Sequence, residues 1–220
     1  MKIGIIGAGA VGGSLGAAWA KAGHEVFFSF SLEPERPREL AEAVGGHYGS
    51  VAEAVEFGDL VALTVPYTAV DEAFEAAGPI DGKILIDCTN PLLPDRSGLS
   101  LGHTTSAAEE NQKRAPGARV VKAFSTMFQE VMGQKEQLFG SFTPTMFYCG
   151  DDEEAKKVVA DLIKDTGFEP IDAGPLKQAR HLEPFAYVVI SLAGRGWDRN
   201  FMMTMLRAGA TVPDNIVASG

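Results

Sequence analysis

Short apolar runs alternate along the chain with stretches whose apolar residues recur every three to four positions, the spacing of one helical face. Residues 2–6, 25–30, 59–65, 83–87 and 119–123 read as buried strands. Val11, Leu15, Ala18 and Ala22 share one face of a helix over 10–22, which Gly23 ends. Residues 38–44 predict a short helix stopped at Gly45-Gly46, and 68–77 predict another. Ser50 with Glu53, and Ser106 with Glu109, form capping-box patterns that open two further helices. Strands alternating with helices imply a parallel sheet covered on both faces, an α/β doubly wound fold.

The second part is less regular. Residues 145–149 predict a strand. Asp151-Asp152-Glu153-Glu154 then load a helix start with acids, a dipole-favoured arrangement rather than a metal site, and Gly167 marks the end of that helix. Residues 168–172 predict a last strand. Residues 180–206 read as mostly helical and apolar nearly all round, interrupted at Gly194 and Gly196. The chain thus divides into a dinucleotide-binding domain, 1–124, and an extension, 125–220, that completes the site. The runs 185–193 and 197–206 are too apolar to face water, which predicts a homodimer contact there.

Composition narrows the function. The chain has 220 residues, 45% hydrophobic and 22% charged, which suits one globular domain with an extension. Nineteen basic and 29 acidic residues leave a net charge of -10, against the basic footprint of a nucleic-acid binder. A small anion can still bind where helix dipoles and backbone N–H groups override net charge. Cys88 and Cys149 make no disulfide framework or CxxC motif, and His24, His47, His103 and His181 show no metal-ligand spacing. The start Met1-Lys2-Ile3-Gly4 has no signal-peptide pattern, and the apolar run 185–193 is about half the length a bilayer requires. The expectation is a cytoplasmic protein with a small-molecule substrate, no nucleic acid, no membrane and no metal.

Gly7-Ala8-Gly9-Ala10-Val11-Gly12 matches GxGxxG between a predicted strand and a helix, the context that gives the motif meaning. Gly7 permits the turn, Gly9 lets backbone approach a pyrophosphate, and Gly12 lets helix and strand pack closely. The N–H groups of Ala10, Val11 and Gly12 then face the anion. An NAD site usually carries a carboxylate about 20 residues further on. Ser29 stands there instead, in Phe27-Phe28-Ser29-Phe30-Ser31. Hydroxyls of Ser29 and Ser31 with the charge of Arg36 or Arg38 suit a 2′-phosphate, which favours NADP over NAD. In such sheets the ligand lies outside the carboxyl ends of the strands. The tips there are Thr64-Val65-Pro66-Tyr67, Asp87-Cys88-Thr89-Asn90-Pro91 and Ala123-Phe124-Ser125-Thr126-Met127, with Thr64, Val65, Pro66 and Ala123 expected beneath the nicotinamide. Asp87 is expected to cap the turn at Thr89-Asn90. No side chain is expected to act as a catalytic acid or base.

These residues resemble the coenzyme F420-dependent NADP reductases. The resemblance is carried by the glycine motif, by Asp59–Tyr67, Ile86-Asp87-Cys88-Thr89-Asn90-Pro91, Val120-Val121-Lys122-Ala123-Phe124 and Asp172-Ala173-Gly174-Pro175-Leu176, in register from residue 1 to about 195. It implies a Rossmann domain with NADP on the glycine loop, a small C-terminal part closing over it, a dimer, and hydride transfer between NADP(H) and the deazaflavin coenzyme F420. Family members often carry Ser-Arg after the second strand, where Phe30-Ser31 stands here, and Asn after Lys-Ala-Phe, where Ser125 stands here. Two alternatives stay open: an NADPH reductase of a flavin or a small carbonyl or imine compound, and a non-catalytic NADP(H)-sensing module.

Overall fold

The computed structural model describes residues 1–132, 142–193, 195–201 and 203–206. Eight strands form one sheet in the order β3-β2-β1-β4-β5-β6-β7-β8. They are β1 (Lys2–Ile6), β2 (Glu25–Ser29), β3 (His47–Tyr48), β4 (Leu60–Leu63), β5 (Ile84–Asp87), β6 (Arg119–Lys122), β7 (Thr145–Gly150) and β8 (Glu169–Asp172). Every neighbouring pair is parallel except β6 with β7. The helices are α1 (Ala10–Lys21), α2 (Arg36–Val44), α3 (Val51–Phe57), α4 (Val70–Ala77), α5 (Ala107–Arg114), α6 (Glu153–Asp165) and α7 (Ala179–Ala193). Residues 145–172 continue the sheet of the first segment, since β7 hydrogen-bonds directly to β6.

Strands β1, β4, β5 and β6 are buried over nearly their whole length because both sheet faces are covered. One core cluster packs Leu15 and Trp19 of α1 and Val159, Leu162 and Ile163 of α6 against Ile3, Ile5 and Phe28. The other packs Val55, Val70, Ala73 and Leu182 against Ile6, Val61 and Leu85 on the opposite face. Trp19 is fully buried, and its indole N–H donates to Leu162 O at 3.1 Å, tying the first helix to the C-terminal segment.

Local signals explain several boundaries. The Ser50 box is complete: Glu53 N–H donates to Ser50 Oγ at 3.2 Å and Ser50 N–H to Glu53 Oε2 at 2.7 Å. At α5, Glu109 N–H donates to Ser106 Oγ at 3.2 Å, while the Glu109 carboxylate turns to Arg180 at 2.7 and 2.8 Å. Asp152 caps α6 through Ala155 N–H at 2.7 Å, as the acidic run requires. Strand β3 is only two residues long, too short for a periodic signal.

The expected helix beyond Gly196 does not form. Asn200 N–H turns back onto Asp198 Oδ1 at 2.9 Å, and the chain then runs along the start of β7, where Thr145 N–H donates to Met203 O at 2.9 Å. Residues 208–220 of the predicted tail lie outside the described residues. Among the described residues no helix is long and apolar enough to cross a membrane.

Candidate active site

The register aligns Ile6 with Leu63, Leu63 with Asp87 and Asp87 with Lys122, so four strands end at one edge of the sheet. Beyond that edge lies a cleft of about 490 Å³. Gly9, Ala10 and Val11 form one end; Thr64, Val65, Pro66 and Tyr67 form a wall from β4, and Cys88, Thr89 and Asn90 form the adjoining wall from β5. Phe124, Ser125 and Met127 close it from β6.

The glycine loop is built for close approach. Gly7 has φ 120°, and its N–H and that of Ala8 are already committed to Ser29 O and Phe30 O at 3.0 and 2.8 Å. A Cβ on Gly12 would lie 1.9 Å from Gly7 O, whereas a Cβ on Gly9 would meet nothing within 4 Å. Gly9 therefore borders open space and Gly12 fills a packed joint. Thr64 Oγ1 donates to Gly7 O at 2.7 Å and fixes the loop against β4. No side chain caps α1, which leaves the N–H groups of its first turn directed at the cleft with the positive dipole end behind them.

Not all expected contacts fall in this cleft. Ser29 is fully buried, and its hydroxyl donates to Ile5 O at 2.9 Å. It cannot reach a 2′-phosphate, because it is fully buried and its hydroxyl is committed to the main chain of β1. Ser31 lies beyond the strand, with Oγ accepting Glu33 N–H at 3.1 Å. The Arg36 guanidinium is 43% exposed and touches Glu39 only at 3.5 Å, so it is the cation nearest to being available at this loop; Arg38 pairs with Glu35 at 2.9 Å. Ala123 is also buried, its N–H closing the ladder onto Asp87 O at 3.1 Å. The chain turns at Phe124, with φ 58°, and Phe124 and Ser125 line the cleft in its place.

Sequence reasoning missed the loop contribution of Leu92, Leu93 and Arg96, and that of Ile190 and Arg199 from the C-terminal segment. These have no local motif; only the fold brings them to the β4–β6 tips.

Beneath the cleft floor sits a closed group of charges. Lys122 is fully buried, 3.0 Å from Glu183 Oε1 and 3.5 Å from Asp87 Oδ2, and its ammonium donates to Thr89 O. Asp87 Oδ1 accepts Thr89 N–H at 2.8 Å, the turn cap expected of it, and Oδ2 accepts from Asn111 at 3.3 Å. Glu183 accepts the N–H groups of Ala107 and Ala108 at 2.8 and 3.2 Å and so caps α5 from α7. Burial would drive the Lys122 ammonium toward neutrality, but the Asp87 and Glu183 carboxylates outweigh it and hold its pKa above the ordinary value. Burial, then the surplus charge of Asp87, push the Glu183 carboxyl up against the pull of Lys122. Burial likewise pushes up the Cys88 thiol and the Tyr67 phenol, and takes Cys149 to about 12. Neither cysteine is a nucleophile at neutral pH.

The sequence model of the family described as NADP oxidoreductase, coenzyme F420-dependent, matches residues 2–91. The F420-dependent NADP reductase of Methanocaldococcus jannaschii is 32% identical over 146 residues, covering 64% of this chain and 64% of that protein. The metalloreductase STEAP3 of Rattus norvegicus is 29% identical over 194 residues, covering 83% of this chain and 36% of that protein. The chain therefore spans between a third and two-thirds of the length of these curated relatives. A crystal structure at 1.70 Å of a protein from Arthrobacter sp. FB24, provisionally named an F420-dependent NADP reductase, superposes with a TM-score of 0.85. It is 31% identical and covers 94% of this chain and 100% of that one. With the glycine loop, the aligned strand tips and this full-length likeness together, the chain belongs to the coenzyme F420-dependent NADP oxidoreductase family.

Proposed function

We propose that this chain is an NADP(H)-dependent oxidoreductase that passes a hydride between the nicotinamide and the flat ring of coenzyme F420. The observation that carries the reading is the uncapped first turn of α1 opening on a cleft whose other walls are strand tips. The cofactor supplies the hydride chemistry. The protein's part is to bind and orient. Ala10, Val11 and Gly12 N–H groups receive the pyrophosphate, and Arg36 with Ser31 receives the 2′-phosphate. Val65, Pro66 and Phe124 form apolar wall against which a flat ring can pack with water excluded.

Hydride transfer between two rings needs the reacting carbons held at about 3–3.5 Å and no proton moved by the protein in the same step. Among the described residues lining the cleft there is no His, Asp or Glu, and Tyr67 and Cys88 are held protonated, so neither is a ready base. His103→Ala and His181→Ala should therefore keep most of kcat. A loss of about a thousandfold in either, with NADP binding intact, would place the chain with reductases that protonate a carbonyl or imine.

The deciding assay follows NADPH oxidation with F420, with FMN and with no acceptor in parallel. Turnover with F420 alone supports the reading; FMN as the better acceptor moves it to a flavin reductase. Binding of NADPH without turnover of either acceptor makes it a sensor. Calorimetry should show NADP binding more tightly than NAD, and Arg36→Ala should weaken NADP alone by about tenfold or more, as loss of a charge-assisted hydrogen bond requires.

A homodimer belongs to the same proposal. Val188, Trp197, Met205 and Leu206 are each more than half exposed, an apolar surface that a second copy would cover. Light scattering should give twice the chain mass; monomer mass across micromolar concentrations would overturn it.

A further inference from the structure

The cleft holds two charges, and both are positive. Among the described residues that line it, only Arg96 and Arg199 carry a charged side chain. Acidic residues outnumber basic ones by 29 to 19 along the chain, so a lining with two cations and no carboxylate runs against the composition. A cleft lined by one sign of charge focuses the field and gathers ions of the other sign.

Each arginine is held with its head open to the cleft. Arg96 stands in a tight hairpin after β5, where Leu92 bridges Leu99 and Arg96 N–H donates to Leu93 O at 2.8 Å. It is exposed, and its φ of 58° is one that an arginine seldom adopts. The Tyr187 hydroxyl of α7 donates to Ser97 O at 2.6 Å and pins the hairpin. The Asp95 carboxylate beside it is spent on the N–H and hydroxyl of Ser97, at 3.0 and 2.7 Å, rather than on Arg96. Arg199 lies beyond α7. Its guanidinium sits over the Phe128 ring at 5.8 Å and gives one N–H to Glu130 at 3.3 Å, yet its side chain is 51% exposed. A guanidinium has five donors, so one contact aims the fork without exhausting it.

The anions of NADP lie elsewhere in the reading above, at the ends of β1 and β2. Strand β5 is two strands from β1, about 10 Å at ordinary strand spacing. We propose that Arg96 and Arg199 form an anion subsite for the second substrate and receive a phosphate on the side chain of the flat-ring acceptor, the group that guanidinium forks bind best. They decide which acceptor is taken and move neither hydride nor proton. The inference rests on the hydride-transfer reading above.

The test uses two pairs of acceptors that share a ring and differ in the side-chain anion. One pair is FMN and riboflavin; the other is F420 and the same deazaflavin cut back to a neutral ribityl chain. The readouts are the dissociation constant on NADP-loaded protein and kcat/KM with NADPH. Wild-type protein should favour the anionic member of a pair by about tenfold or more, the range of a charge-assisted hydrogen bond. Arg96→Ala and Arg199→Ala should each reduce that preference, and the double variant should treat both members alike. Arg96→Lys keeps the charge without the fork and should retain part of the preference. Added salt should narrow the wild-type preference. Equal use of both members by wild-type protein, or a preference that survives in the double variant, would overturn the subsite and leave the hydride-transfer reading standing. Calorimetry with NADP should give the wild-type affinity in each variant; a loss there would assign the arginines to the pyrophosphate and overturn the subsite as well. Failure of wild-type protein to bind or reduce any of the four rings would overturn the hydride-transfer reading and the subsite with it.

Discussion

Two buried polar clusters lie side by side at the carboxyl edge of the sheet, and they are built on opposite terms. Asp87, Lys122 and Glu183 are ionisable, and every one is paired: to each other, to Thr89, to Asn111 and to the first N–H groups of α5. Asn90 and Ser125 are neutral, and each keeps one atom without a partner among the described residues. The first group closes on itself and joins β5, β6, α5 and α7. The second shares its loop with the first, since Lys122 and Asp87 grip Thr89 from either side. The contrast separates a polar group whose members are satisfied from one whose members are not, at the same edge of the sheet: what differs is satisfaction, not burial.

The hardest way to break this contrast is Lys122→Met. It leaves two carboxylates facing each other without water, and removing one member of a buried ion pair costs about 3–5 kcal/mol. Urea denaturation should show that loss; a change under about 1 kcal/mol would mean the charges are not closed as described.

Gly12→Ala comes next. Its Cβ would fall 1.9 Å from Gly7 O and 2.6 Å from Thr64 Oγ1, both fixed atoms, and overpacking of that kind costs about 1–3 kcal/mol. Gly9→Ala, whose Cβ meets nothing within 4 Å, should leave stability unchanged and weaken NADP only. Thermal melts of the two variants, with and without NADP, distinguish a packed glycine from an open one.

Glu183 supplies a pH dependence with a definite sign. Its folded pKa is raised above the ordinary 4.5, so the folded state holds that proton to higher pH than the unfolded state does. Folding takes up a proton between the two values, and the Glu183 contribution falls as pH rises from 4.5 through the folded value. Glu183→Gln cannot titrate. The stability difference between wild type and Glu183→Gln should therefore shift against wild type as pH rises through that window, measured by denaturation at stepped pH. A difference independent of pH would show that Glu183 is not raised. Glu109 works in the opposite direction: Arg180 holds its carboxyl low, so its contribution is present at neutral pH and lost on acidification, in both proteins alike.

The smallest effect sharpens the contrast most. Ser125→Ala removes an unpartnered hydroxyl and should move ligand-free stability by no more than about 0.5 kcal/mol. A loss of 1 kcal/mol or more, typical of a made hydrogen bond, would show that Ser125 belongs to the architecture after all.

How much of this was legible in the sequence depended on distance along the chain. The glycine turn between β1 and α1, the Ser50 box and the Asp87 turn cap are set by residues within a few positions of one another, and the local geometry of all three stands as read. Strand-end arguments reached the right tips but missed by one at Ala123, because a positive φ at Phe124 decides which residue faces the cleft. Ser29 was misread since its position in β2, not its chemistry, buries it. The charged triad joins residues 96 positions apart and has no motif, although a lysine in the otherwise apolar Val120-Val121-Lys122-Ala123 was itself a sign that a buried counter-charge must exist. The helix expected over 197–206 does not form because apolar content alone sets no helical period, and Asp198 and Asn200 make a turn there.

The glycine loop has a consequence for redesign. The grip on an anion proposed for it would come from main-chain atoms at Ala10, Val11 and Gly12, which no substitution can recolour and only added bulk can spoil. The side chains beside Ser31 and Arg36 stand on a separate segment that exchanges just two backbone hydrogen bonds with the loop, Gly7 N–H to Ser29 O and Ala8 N–H to Phe30 O. Cofactor choice is thereby modular: transplanting residues 31–36 from an NAD-dependent relative should swap the preferred dinucleotide while the pyrophosphate cradle passes through the exchange untouched.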